Sequence, residues 1–157
     1  MPAYFLDTSA LLKLYVEEAG SVRLAAAVSA PGVRLAISGL SMLEFKAVIR
    51  ARMRGGAIAS GEGERSLADF FRRATRSMIQ QGLTEAVVGL ANRLLDRHPL
   101  RAPDALQLAS CLELHRTRQE ALGQEVYLVG SDQRLLAAAK GENVPCWDPA
   151  AEEMGPG

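Results

Sequence analysis

Ala3-Tyr4-Phe5-Leu6-Asp7-Thr8-Ser9-Ala10-Leu11-Leu12-Lys13-Leu14-Tyr15-Val16 is the stretch on which the fold turns. Its first four residues are apolar, too few for a helix, and run straight into Asp7-Thr8-Ser9, a helix-starting group. Leu11, Leu12, Leu14, Tyr15 and Val16 then continue as a helix rich in apolar positions. A buried strand that passes directly into a helix is the first half of a βαβ unit. It sets Asp7 at the carboxyl end of its strand.

Outward from there the alternation repeats. A helix opened by Ser21 reaches Ala30 and stops at Pro31-Gly32. A short strand over 34–37 precedes a helix that starts at Ser38 or Ser41 and runs to about Arg54. The glycine-rich 55–61 breaks that helix and is too short for a domain linker. Helices are predicted over about 62–76, 84–97 and 103–120, with Pro103 in the first turn of the last. A brief strand at 77–80, a strand at 125–129, a helix at 132–139 and a short strand at 144–147 complete the chain. Strands alternating with helices predict an α/β fold, a three-layer α/β/α sandwich around a short parallel sheet. In such sheets ligands bind beyond the carboxyl ends of the strands.

At 157 residues, 48% of them hydrophobic, the chain suits one domain with one core, expected over 1–150 with a disordered tail at 151–157. Lysine plus arginine equal aspartate plus glutamate at 18 each, so overall charge favours no polyanionic partner. Nucleic acid would have to be held by local basic patches or by cations that bridge to phosphates. Cys111 and Cys146 lack metal-ligand or CxxC spacing and read as small buried hydrophobes, which suits a reducing cytosol. Asp7 interrupts any leader, and no run approaches the ~18 apolar residues of a membrane span. A soluble cytoplasmic protein, with no membrane partner, is the expectation.

Four acids draw attention. Asp7 and Asp132 each follow a strand and open a helix, and Asp104 lies in a helical first turn. Each alone reads as a cap or as a partner of the helix dipole. Glu44 is different, because Leu40, Leu43, Ala47 and Val48 define an inward stripe that contains it. A buried carboxylate needs a partner, either an arginine from a neighbouring helix or a metal. Carboxylates crowded at one edge repel unless a cation joins them. Oxygen donors without a His or Cys set favour Mg²⁺ or Mn²⁺ over zinc. His98 and His115 have no ligand-like spacing and read as surface or helix-end residues.

With these residues placed, the chain resembles the PIN domain, specifically the VapC-type toxin ribonucleases of toxin–antitoxin pairs. The matching pieces are the opening Phe5-Leu6-Asp7-Thr8-Ser9 with its helix, Ser41-Met42-Leu43-Glu44, Arg101-Ala102-Pro103-Asp104-Ala105-Leu106-Gln107-Leu108-Ala109 and Val129-Gly130-Ser131-Asp132-Gln133-Arg134-Leu135. They stand in the family's order across nearly the whole chain, to about Trp147. The resemblance implies that Asp7, Glu44, Asp104 and Asp132 form an acidic quartet binding Mg²⁺ or Mn²⁺, with Ser9 in support. It also implies an RNA substrate, a VapB-like antitoxin that covers the acidic site, and a homodimer. The sequence departs at Gly130, where the family often has Thr or Ser, which makes Asp132 the least secure ligand.

The arginines at 50, 52 and 54 and at 72, 73 and 76 are either a phosphate-contacting rim or solvated helix ends. Lys13 is expected to snorkel to solvent. The function implied is a metal-dependent endoribonuclease toxin. The alternatives are a housekeeping PIN nuclease without antitoxin and an inactive RNA- or protein-binding PIN domain. A haloacid-dehalogenase-like phosphatase is disfavoured, since its Asp-x-Asp would put an aspartate where Ser9 stands.

Overall fold

The computed structural model describes residues 2–151 together with 155 and 156. Among them the strands are β1 (Ala3–Leu6), β2 (Arg34–Ser38), β3 (Met78–Gln81), β4 (Val126–Val129) and β5 (Cys146–Trp147). The helices are α1 (Thr8–Lys13), α2 (Ser21–Val28), α3 (Gly39–Arg54), α4 (Ser60–Ser77), α5 (Glu85–Arg97), α6 (Ala102–Leu122) and α7 (Gln133–Gly141). The strands form one parallel sheet in the order β3-β2-β1-β4-β5. The order reverses between β1 and β4, so the crevice at their carboxyl ends is the switch point where α/β proteins place ligands.

Alternation along the strands divides the core into two layers. Ala3, Phe5, Ala36, Val126 and Leu128 face one layer, where α5, α6 and α7 contribute Leu94, Leu108 and Leu135. Tyr4, Leu6, Leu35, Ile37 and Val129 face the other, beneath α1 to α4. There Phe45 and Phe70 meet at a tilt of 42° with ring centroids 4.2 Å apart, and Tyr15 meets Phe45 edge-on at 5.2 Å. This is the expected three-layer α/β sandwich.

Several local expectations need correction. The inward stripe of α3 runs through Ser41, Phe45 and Ile49, whereas Leu43 is 69% exposed and Ala47 is also exposed. Apolar residues lie on more than one side of this helix, so apolarity alone misplaced its phase. Glu44 is half-buried beside the true stripe rather than within it. Gly20, in a left-handed conformation, is the N-cap of α2, and Ser21 instead accepts from the Glu18 amide and donates to the Val16 carbonyl. Lys13 does not reach solvent: it is buried and lies 3.5 Å from Glu18.

His98 and His115 are half-buried and bonded, His98 to Glu142 at 2.7 Å and His115 to the backbone of Val126. Both cysteines are free. The tail expected at 151–157 falls largely outside the described residues. No helix among those described is long and apolar enough to cross a membrane.

The two readings of α3 predict opposite mutational costs. Leu43→Glu should change stability by no more than about 0.5 kcal/mol. Phe45→Ala should cost about 3–5 kcal/mol. Urea unfolding of both variants checks this.

Candidate active site

Because β1 pairs with β4, the chain leaves both strands side by side at Asp7 and at Gly130-Ser131-Asp132. Asp7 caps α1: its Oδ1 accepts from the Ala10 amide at 2.8 Å and from the Ser9 hydroxyl at 2.7 Å. Ser9 Oγ in turn accepts from the Ser131 amide at 3.0 Å, which ties the two strand ends together. Oδ2 has no hydrogen bond among the described residues. It lies against Gly130, where a Cβ would stand only 2.4 Å away. Gly130 is therefore the residue that makes room for the Asp7 carboxylate, and a Thr or Ser there would displace it.

Asp132 caps α7 through Oδ1, which accepts from the amides of Arg134 and Leu135 at 2.9 and 3.2 Å. The hydroxyl of Ser131 does not serve it but donates to Asp148 Oδ1 at 2.7 Å. Asp148 also accepts from Gln133 Nε2 at 3.0 Å and from the Ala150 amide, and so braces the loop that carries Asp132. Sequence reading missed Asp148, although it follows β5 as Asp7 follows β1.

Asp104 lies in the first turn of α6, and Arg101 Nε donates to its Oδ2 at 3.3 Å. Asp104 and Asp132 line one cleft of about 300 Å³, with Arg101 and Arg134 beside them. Arg101 and Arg134 are the arginines that line this cleft. Arg50, Arg52 and Arg72 are engaged by Glu64, Glu18 and Asp69. A larger hollow of about 520 Å³ beside Arg34, Arg118 and Tyr127 lies at the amino ends of the strands, away from the four acids.

Glu44, on α3, is bound by neutral donors rather than by an arginine. Its Oε1 accepts from Thr8 Oγ1 at 2.9 Å and from Gln107 Nε2 at 2.8 Å. Thr8 follows Asp7, and Gln107 is three residues beyond Asp104, so these contacts join Glu44 to two other acid-bearing elements.

Asp7 is 4% exposed, and its pKa is raised from 3.8 to about 6. Burial is the largest cause; the bonds from Ala10 and Ser9 oppose it, and the charges of Asp132 and Asp104 add to it. No cationic side chain offsets these charges at Asp7 among the described residues. As placed, no three Asp, Glu, His or Cys side chains among the described residues form a group able to hold an ion. Mg²⁺ commonly takes one or two carboxylates and fills its other positions with water and phosphate oxygens. An all-oxygen set with a spare, like-charge-stressed carboxylate oxygen fits that kind of ion.

The chain belongs to the PIN domain family, whose sequence profile matches residues 4–140. Proteins of this family are typically metal-dependent nucleases. No curated protein matches the chain. Among solved structures it is similar to VapBC-1 of nontypeable Haemophilus influenzae, at 17% identity and a TM-score of 0.63, covering 95% of this chain and 99% of that one. It is also similar to VapC20 of Mycobacterium tuberculosis, a sarcin-ricin-loop-cleaving toxin, at 17% identity and a TM-score of 0.62, over 86% and 94% of the two chains. A toxin–antitoxin complex from Klebsiella pneumoniae matches at 19% identity and a TM-score of 0.59, over 93% and 97%. At such identities the likeness shows the fold.

The stress on Asp7 has a measurable sign. Its folded pKa lies above its ordinary value, so the folded state binds the extra proton between about 3.8 and 6. Stability therefore falls as pH rises through that window, by roughly 3 kcal/mol when complete. Asp7→Asn keeps the Oδ1 acceptor and removes the charge. In chelator-treated protein it should melt higher than wild type near pH 7, with the advantage shrinking by about half near pH 5. Thermal melts across that range check it.

Proposed function

We propose that this chain is a Mg²⁺- or Mn²⁺-dependent endoribonuclease, the toxin of a toxin–antitoxin pair. In this reading it acts as a homodimer and is held in check by a VapB-like antitoxin that covers the acidic edge. The observation that carries the reading is Asp7: a buried carboxylate fixed through one oxygen, with its other oxygen unbonded among the described residues, in the field of Asp104 and Asp132. Family membership supports it, and so do structural neighbours that are themselves toxins or toxin–antitoxin complexes.

Asp7, Glu44, Asp104 and Asp132 would hold the ion, and Ser9 supports the site by orienting Asp7 Oδ1. When bound, a divalent cation lowers the pKa of water and neutralises charge at the phosphorus under attack. The protein's own part is orientation. Ser9 and the Ala10 amide fix one Asp7 oxygen, so the other points to a defined place. Gly130 keeps that place clear of side chain. Arg101 and Arg134 adjoin the cleft as donors for backbone phosphates, which position RNA without reading its sequence. No side chain is required as nucleophile.

Purified antitoxin-free protein should cut cellular RNA into discrete fragments with Mn²⁺ or Mg²⁺, and should not cut with EDTA. Asp7→Asn should lose at least about a hundredfold in rate, on the scale of removing a group that stabilises the transition state. Normal cleavage by Asp7→Asn would contradict the assignment.

A further inference from the structure

Gln107 is the polar residue in an otherwise apolar stretch of α6, Ala105-Leu106-Gln107-Leu108-Ala109, and only 3% of it is exposed. Its Nε2 lies 2.8 Å from Glu44 Oε1, 3.1 Å from Ser41 Oγ and 3.2 Å from Thr8 Oγ1. Its Oε1 is buried without a hydrogen-bond partner among the described residues. The reverse amide orientation would set Oε1 against the Glu44 carboxylate, so the charge on Glu44 dictates which end faces it. The protein tolerates an orphaned buried acceptor, an expensive feature, to keep an N–H donor on Glu44.

One amide thus touches the element that follows Asp7, through Thr8, and the helix that carries Glu44, through Ser41 and Glu44 itself. It does so from one turn along the helix that carries Asp104. We propose that Gln107 is a positioning residue that orients the Glu44 carboxylate and locks three acid-bearing elements in register, so that divalent-cation affinity depends on it. The proposal rests on the acidic edge being a cation site. Groups that orient a ligand in this way typically change metal affinity about 10–100-fold when removed.

The test is Mn²⁺ binding by calorimetry, with melting of the metal-free protein, for wild type and for Gln107→Met. Methionine matches the volume and removes both the donor and the orphaned acceptor. The metal-free melting temperature should fall modestly, because Ser41 Oγ and Glu44 Oε1 each lose a donor, and a cooperative melt shows that the variant folds. Mn²⁺ should bind about 10–100-fold more weakly. In a Glu44→Ala background the same substitution should change affinity by less than about twofold, because coupled residues do not add.

Gln107→Asn, which keeps an amide but shortens its reach, should show the same loss and guards against a misfolded first variant. Unchanged Mn²⁺ affinity in Gln107→Met, or an equal loss with and without Glu44, would overturn the positioning role and leave the cation site standing. Absence of Mn²⁺ binding by wild type would overturn the cation site and the positioning role together.

Discussion

The carboxylate of Asp7 is almost wholly withdrawn from water, yet two more negative side chains act on it and, among the described residues, no positive one offsets them. Much of the surrounding structure follows from holding a charge there. Ser9 and the Ala10 amide can satisfy one oxygen only because α1 starts immediately after β1. The other oxygen has space only because residue 130 lacks a Cβ. The parallel pairing of β1 with β4 brings Gly130 and Ser131 to it, and the Ser131 amide closes the link through Ser9. A tightly packed interior stores such a strained arrangement because its neighbours cannot relax away from it.

The opposite end of the site is held by neutral groups. Glu44 receives a hydroxyl and an amide rather than a guanidinium. That choice leaves its negative charge uncancelled, unlike that of Asp104, which Arg101 partly offsets. Ser38 and Ser110 continue this polar contact into the core at 3.0 Å, linking β2 to α6. The rings of Phe45, Phe70 and Tyr15 fix α3 from the far side. Basic side chains elsewhere pair with local acids, Lys13 and Arg52 both with Glu18. At the cleft, Arg101 pairs with Asp104, and Arg134 lines the same hollow as Asp132.

The sheet and its helices were legible because local signals agreed: short apolar runs ended at capping residues, and glycine or proline marked the stops. Asp7, Asp104 and Asp132 were legible for the same reason, since each occupies a helix start. Glu44 was noticed by an incorrect route, because Leu43 and Ala47 are apolar yet outside the core, and periodicity cannot separate two apolar faces of one helix. Gln107 carried the same signal that singled out Glu44, a polar residue in an apolar stretch, but without a charge to draw attention. Gly130 read as a defect against the family pattern. Its meaning lies in a 2.4 Å approach across strands, which no linear spacing displays.

The most direct test is the titration of the Asp7 carboxyl carbon by NMR, with and without Mg²⁺. Without metal it should titrate near 6. With saturating Mg²⁺ it should move below the ordinary carboxylate range, as an opposite charge at bonding distance requires. An ordinary carboxylate titration that Mg²⁺ leaves unmoved would contradict both the stress on Asp7 and the cation site built around it.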